Sequence, residues 1–273
     1  MGLKDVALMY DFDGTLAKGN IQEYNFIPAL NMTSDSFWKE VEKLARENNM
    51  DNVLAYMYLM LNKAEAANIS IKKNAFYEYG KNISFYSGVN TWFDRINKYG
   101  KSLGLNIHHY VISSGIKEMI EGTEIADNFE RIYACSYLYN VDNIAKWPAI
   151  SVNYTNKTQF LFRINKGILD VYDPKVNDYM KEEEKNIPFS NMIYLGDGET
   201  DIPCMKLVKN FGGKSIAVYD SMDRKKVSEK MYKEGRITFY SEADYRENEK
   251  LEIYVKEYIK EIADKLEEIY LWT

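Results

Sequence analysis

Cysteine is scarce in this chain: only Cys135 and Cys204 occur in 273 residues. A disulfide framework is therefore not expected, and a reducing compartment fits better. Cys204 reads as a small buried residue on a helix. Histidine is equally rare, with His108 and His109 adjacent in a strand-like run, so their side chains point to opposite faces and cannot easily share one metal. Core or helix-covered positions are expected for both. No apolar run approaches the ~20 residues needed to span a bilayer, so no membrane partner is expected. The start, Met1-Gly2-Leu3-Lys4-Asp5, carries no cleavable secretory pattern. A cytoplasmic location follows as the expectation, and triplets such as Asn68-Ile69-Ser70 and Asn82-Ile83-Ser84 are then chance matches to a glycosylation signal. Basic charge is lacking too. A formal net charge of -6 gives no general electrostatic reason to bind nucleic acid. A phosphorylated small molecule must then be drawn in locally, by a metal or by selected lysines.

What is present is ordinary in bulk, with 46% hydrophobic and 28% charged residues, as in a globular protein. The length suits one large domain or a core with a smaller module. Two acidic clusters stand out. Asp11-Phe12-Asp13-Gly14-Thr15 follows the apolar run Val6 to Tyr10, and Gly196-Asp197-Gly198-Glu199-Thr200-Asp201 follows Met192 to Leu195. Each reads as a buried strand ending in a turn. In an open α/β sheet, ligands bind beyond the carboxyl ends of the strands, where these clusters would lie. Between them come Ser113-Ser114-Gly115, after the strand candidate Leu105 to Ile112, and Lys157, at the start of a helix expected near Thr155 to Ile164.

Strand signals stop for about seventy positions after the first cluster. Candidate caps at Thr33 to Ser36, Asp51 and Ser70 open three helical patterns, which predict an all-helical insert over residues 17–87. Its aromatics, Trp38 and Tyr56 among them, are mostly core. Beyond Gly88 the pattern alternates: a helix from Val89 to Tyr99, strands at Leu105, Arg131, Met192, Ser215 and Ile237, and helices between them. Alternation of this kind predicts an α/β fold with a Rossmann-like parallel sheet. The core is then residues 1–16 and 88–273. A closing helix is predicted from Asp244 to Tyr270, with Leu251, Val255, Tyr258, Ile262, Leu266 and Ile269 on its apolar stripe. It packs on its own domain or, as the sharper alternative, forms a dimer contact; monomer and homodimer both remain open.

The residue types support phosphoryl chemistry. A carboxylate attacks phosphorus to give an acyl-phosphate, which water then cleaves. Two anions approach each other in that step, so a divalent cation is needed to offset their repulsion. A hard cation such as Mg²⁺ prefers a few carboxylates plus water and substrate oxygens; Asp11 and Asp197 supply the carboxylates, with Asp201 as a third candidate. Asp13 is the candidate proton donor to the leaving alkoxide. Ser113 and Lys157 are placed to bind the transferring oxygens, with Gly14, Thr15 and Ser114 as further phosphate-binding candidates.

The ordered set Asp-Phe-Asp-Gly-Thr, Val-Ile-Ser-Ser, a lysine and Leu-Gly-Asp-Gly-Glu-Thr-Asp resembles the haloacid dehalogenase (HAD) superfamily. The resemblance covers the four motifs and their order. It implies a HAD-like core, Mg²⁺ dependence and an aspartyl-phosphate, with Asp11 as nucleophile and Asp13 as general acid/base. Asp11, the Asp13 backbone carbonyl and Asp197 would hold the metal, with Asp201 in support. Asn156-Lys157-Thr158 supplies the lysine, with Lys146 as second candidate. The helical insert is similar to that superfamily's C1-type cap.

A second aspartate at position 13 argues against dehalogenation, since halide leaves without an acid. The phosphoserine phosphatase branch is nearest in layout, with a similar Phe-Tyr-Ser-Gly-Val stretch at 85–89. Those enzymes carry a glutamate soon after the first motif that reads the substrate amine. Asn20 stands near that place, with Gln22 and Glu23 just beyond, which argues against phosphoserine itself. Glu23 and Arg46 are candidate substrate contacts. The expected function is hydrolysis of a small phosphorylated metabolite; the rivals are phosphoryl transfer at the same site and a catalytically silent binding protein.

Overall fold

A computed structural model describes residues 4–271, with side chains to residue 265. Its centre is a seven-stranded sheet: β1 (Lys4–Tyr10), β2 (Leu105–Ile116), β3 (Arg131–Tyr139), β4 (Ala145–Ile150), β5 (Met192–Gly196), β6 (Lys214–Tyr219) and β7 (Phe239–Glu242). The spatial order is β4-β3-β2-β1-β5-β6-β7. All neighbours are parallel except β3 and β4. Val6 to Tyr10 and Met192 to Gly196 are wholly buried because helices cover both faces, so these strands read as unbroken apolar runs. From β1 the sheet grows to β2 on one side and β5 on the other. This is the switch point at which a crevice opens beyond the strand ends.

Between β1 and β2 the chain forms α1 (Phe26–Ala29), α2 (Ser34–Asn48), α3 (Asn52–Ala66) and α4 (Lys73–Tyr79), then α5 (Val89–Ser102). Thr33 caps α2 by accepting from the Ser36 N–H at 3.2 Å. Asp51 caps α3 by accepting from the Val53 and Leu54 N–H groups, each at 3.0 Å. The helical segment leaves and rejoins the core side by side: the Lys18 N–H donates to the Ser84 carbonyl at 2.9 Å, and the Tyr86 N–H to that of Leu16 at 3.0 Å. Helix α3 packs on α2 and on β4, and Tyr137 ties it down by donating to the Met57 carbonyl at 2.9 Å.

The remaining helices are α6 (Lys117–Glu121), α7 (Thr158–Lys166), α8 (Ile202–Asn210), α9 (Met222–Lys233) and α10 (Lys250–Leu271). Helix α10 starts later than the expected Asp244 and packs on α5 and β7, with Leu251, Val255, Tyr258 and Ile262 buried. Its predicted stripe residues Leu266 and Ile269 lie outside the described side chains. No described helix is long and apolar enough to cross a membrane.

Three details differ from expectation. Strand β2 runs on to Ile116 instead of ending at Ile112, and its register with β3 slips between those residues. Ser113, Ser114 and Gly115 therefore lie in an irregular stretch within the strand rather than beyond its end. Strand β4, which no alternation announces, is an antiparallel edge strand, and Pro148 is tolerated there because an edge need not donate on both sides. His109 is buried as expected, but His108 sits half-buried between Asp5, 2.7 Å from its Nε2, and Glu130. Both cysteines are free and buried.

Candidate active site

Asp11 is the first residue beyond β1, and its N–H still donates to the Leu195 carbonyl at 2.9 Å. The chain then turns sharply, with the Phe12 carbonyl accepting from the N–H groups of Leu16 and Ala17 at 2.9 and 3.0 Å. Gly14 makes the turn possible. Its φ is +76°, and a Cβ there would lie 2.3 Å from Asp197 Oδ2. The turn brings Asp11 and Asp13 to the same crevice although they are two apart. Asp13 Oδ1 accepts from the Ile21 N–H at 2.9 Å, while its Oδ2 lies against Gly115 in the irregular stretch of β2.

Lys157 reaches this point from the start of α7. Its Nζ donates to Asp11 Oδ1 at 2.9 Å and to Asp201 Oδ1 at 2.8 Å. Tyr194 on β5 adds a third clamp, its hydroxyl donating to Asp201 Oδ1 at 2.8 Å. Asp201 approaches the sheet closely because Gly196 has no side chain: a Cβ there would stand 2.6 Å from the Asp201 Cγ. Lys157 and Asp201 are completely enclosed. Lys146, by contrast, is exposed on β4, so Lys157 is the lysine that meets the acids.

Burial raises the Asp11 carboxyl to about 6, against the pull of the Lys157 charge. Burial and then the charges of Asp11 and Asp201 raise Asp197 to about 7, with Arg224 opposing. Asp13 is driven well above the usual carboxylate range, first by burial and then by the Asp11 charge. The shifts of Asp11 and Asp13 both favour the neutral acid, and for Asp13 that is the form a proton donor needs. For Lys157, burial alone disfavours the charge, but Asp11 and Asp201 together more than reverse it, and the ammonium persists.

The donor set fits a hard divalent cation. Carboxylate oxygens of Asp11, Asp197 and Asp201 lie within 4.8 Å of one another. Asp201 Oδ2 is buried with no hydrogen-bond partner, which leaves a lone pair to give. The Asp13 carboxylate lies outside that trio. Ser113 is fully buried, its Oγ accepting from the Gly115 N–H at 3.0 Å. Thr15 is buried with its Oγ1 unpartnered, and Ser114 lines the adjoining cleft.

That cleft, about 610 Å³, lies between the acids and the helical segment. Asp13, Ser114 and Thr200 border it on the core side, and Gln22, Trp38 and Tyr56 on the helical side. Glu23 braces this wall by accepting from Asn20 Nδ2 and Trp38 Nε1, both at 2.6 Å. Glu23 and Arg46 are not among the residues bordering the cleft.

Sequence reasoning missed Tyr194 and Arg224, and named Gln22 only as a neighbour of Asn20. Tyr194 hides as one more apolar residue in a strand. Arg224 sits in the run Asp223-Arg224-Lys225-Lys226, which reads as a solvated helix face. In the fold it ion-pairs with Asp197 and lies 3.7 Å from Asp220.

Buried acids, a buried lysine and a strand-end crevice define an α/β enzyme with its chemistry at the carboxyl edge of the sheet. The chain belongs to the haloacid dehalogenase-like hydrolases, matching that family over residues 8–206. It is 30% identical to an uncharacterized protein of Borreliella burgdorferi, across 93% of this chain and 96% of that one. In fold it is similar to a phosphoserine phosphohydrolase-like protein from Francisella tularensis, at TM-score 0.52 and 21% identity over 86% of this chain and 94% of that one. It is likewise similar to a phospho-aspartyl intermediate analogue of phosphoserine phosphatase, at TM-score 0.53 and 15% identity over 88% and 94% of the two chains.

Proposed function

We propose that this hydrolase is a Mg²⁺-dependent phosphatase that cleaves a small phosphorylated metabolite through an aspartyl-phosphate on Asp11. The observation that carries the reading is the Lys157 ammonium, buried and shared between Asp11 and Asp201. With Asp11 Oδ1 held by Lys157, Oδ2 is the oxygen left to attack phosphorus. The P–O bond to the leaving group breaks, and the proton on Asp13 passes to the departing alkoxide. Asp13, now a carboxylate, takes a proton from water as the water oxygen attacks the same phosphorus. The acyl-phosphate bond breaks, inorganic phosphate leaves, and Asp11 is again a carboxylate beside a protonated Asp13. Ser113 and Lys157 bind phosphoryl oxygens during both steps, with Thr15 and Ser114 close by. Asp11, Asp197 and Asp201 would hold the Mg²⁺, which when bound offsets the repulsion between nucleophile and phosphate. The helices within residues 17–87 act as a cap that admits and selects the ester.

The test is release of p-nitrophenol from p-nitrophenyl phosphate, with Mg²⁺ and with EDTA, beside Asp11→Asn. Hydrolysis is expected with Mg²⁺ and not with EDTA, and the variant is expected to lose about 10⁴-fold or more, as when a nucleophile is removed. A variant retaining more than a trace would remove Asp11 as nucleophile.

A further inference from the structure

The cleft facing the acids has a one-sided lining. Glu42 and Asp51 border it in addition to Asp13, and among the described lining residues there is no lysine or arginine. Asp51 is fixed by capping α3 and by accepting from Asn153 Nδ2 at 3.0 Å, so its negative charge stays at the cleft wall. Trp38 and Tyr56 form an edge-to-face pair 5.9 Å apart on the same wall, and aromatic faces attract cations. Gln22 is the most telling residue. It lines the cleft, is only 2% exposed, and its Oε1 has no hydrogen-bond partner. A buried acceptor without a donor costs free energy unless something bound supplies one.

Building on the phosphatase reading, we infer that the leaving group is an alcohol bearing a protonated amine and no carboxylate, with Gln22 Oε1 accepting from the amine. A carboxylate on the substrate would enter a wall of like charge with no cationic side chain to receive it. A neutral polyol has donors for Gln22 but gains nothing from Glu42, Asp51 or the aromatic pair. A quaternary ammonium gains from those groups but has no N–H for Gln22. A protonated amine, which keeps an N–H beside its charge, satisfies all of them. Gln22 is thus a specificity-determining residue, set two positions beyond Asn20 and on the segment whose Ile21 N–H holds Asp13.

The experiment compares kcat/KM of the Mg²⁺-loaded protein for six esters. They are 2-aminoethyl phosphate, its N-trimethyl counterpart, 2-hydroxyethyl phosphate, phosphoglycolate, O-phosphoserine and p-nitrophenyl phosphate. We expect 2-aminoethyl phosphate to exceed 2-hydroxyethyl phosphate by about tenfold or more, in line with a hydrogen bond to a charged group. Phosphoglycolate and O-phosphoserine are expected to fall below the 2-hydroxyethyl ester. Gln22→Leu should lower kcat/KM for the amine ester about tenfold, and for 2-hydroxyethyl and p-nitrophenyl phosphate by less. Gln22→Glu, which keeps an acceptor, should retain the preference. Equal turnover of the amine and hydroxyl esters, or preference for an acidic one, overturns the inference. So does an equal loss on all esters in Gln22→Leu, which is what a merely structural role would give. Better turnover of the N-trimethyl ester would transfer recognition to the aromatic pair and end the case for Gln22. Hydrolysis of p-nitrophenyl phosphate alone rejects the amine and keeps the phosphatase; hydrolysis of none rejects both.

Discussion

The floor of the active site and its roof are built on opposite terms. On the floor, Lys157, Asp11 and Asp201 are buried, joined by bonds of 2.9 and 2.8 Å, and clamped again by Tyr194. On the roof, Trp38 is half-buried and Glu42 exposed, and Gln22 has an acceptor to spare. A buried ionic network tolerates little change, because removing one partner strands the charge of another. On the roof an exposed position such as Glu42 can change at small cost. On the proposed reading, the chemistry rests on the part that tolerates least change, and the choice of ester on the part that faces the cleft.

The strongest way to break this contrast is to open the floor. Lys157→Ala should lower stability by about 3–5 kcal/mol, whereas Glu42→Gln on the roof should move it by less than ~0.5 kcal/mol. Urea denaturation of both variants decides the matter, and similar losses would erase the distinction. Next in size, Asp13→Asn should cost about 10²–10⁴-fold on alkyl phosphates, the usual range for a lost general acid. It should cost less on p-nitrophenyl phosphate, whose phenolate leaves with little help. Equal losses on the two esters would deny Asp13 that role.

A second polar network, buried at Tyr10, Trp92 and His109 and open to solvent at Asn97, serves as the control. Trp92 Nε1 donates to the Tyr10 hydroxyl at 2.9 Å. Tyr10 meets His109 Nδ1 at 3.0 Å, and His109 Nε2 meets Asn97 Oδ1 at 2.9 Å. Burial, helped by the charge of His108, lowers His109 from the usual 6.5 to about 3. The folded chain thus refuses a proton that the unfolded chain accepts. Its contribution is complete above pH 6.5 and is lost as pH falls toward 3, at about 1.4 kcal/mol per pH unit. His109→Gln should remove that part of the acid sensitivity, measured by denaturation at pH 7.5 and 5.5. An unchanged slope would place the sensitivity elsewhere. The smallest effect belongs to Arg224, which is 44% exposed and paired with Asp197. Arg224→Gln should free that carboxylate and tighten Mg²⁺ binding about two- to fivefold by calorimetry, as suits a partly exposed ion pair. Unchanged or weaker binding would show that the arginine does not compete with the metal.

The contrast also explains what could be read in advance. The floor residues end apolar runs or open a helix, so local pattern exposes Asp11, Asp197 and Lys157, and the parallel sheet follows from the same runs. Strand β4 escaped because a short edge strand containing Pro148, with Trp147 facing outward, shows neither alternation nor an apolar run. The irregular stretch at Ser113 escaped because its cause is the slipped pairing with β3, which no local window contains. Arg224 matters only through a neighbour distant in sequence. Arg224 is 27 positions from Asp197, with nothing periodic between them.

The sheet order carries one consequence for the order of assembly. Strand β1 pairs with β5, joining Ala7 to Met192, and Lys157 meets partners 146 and 44 positions away. During synthesis Asp11, the proposed nucleophile, is made first, and Asp201 more than 180 residues later. A chain interrupted before Asp201 therefore holds Asp11 and Lys157 without the second acid that shares the lysine. On the proposed reading, the site is complete only once Asp201 has docked against Lys157.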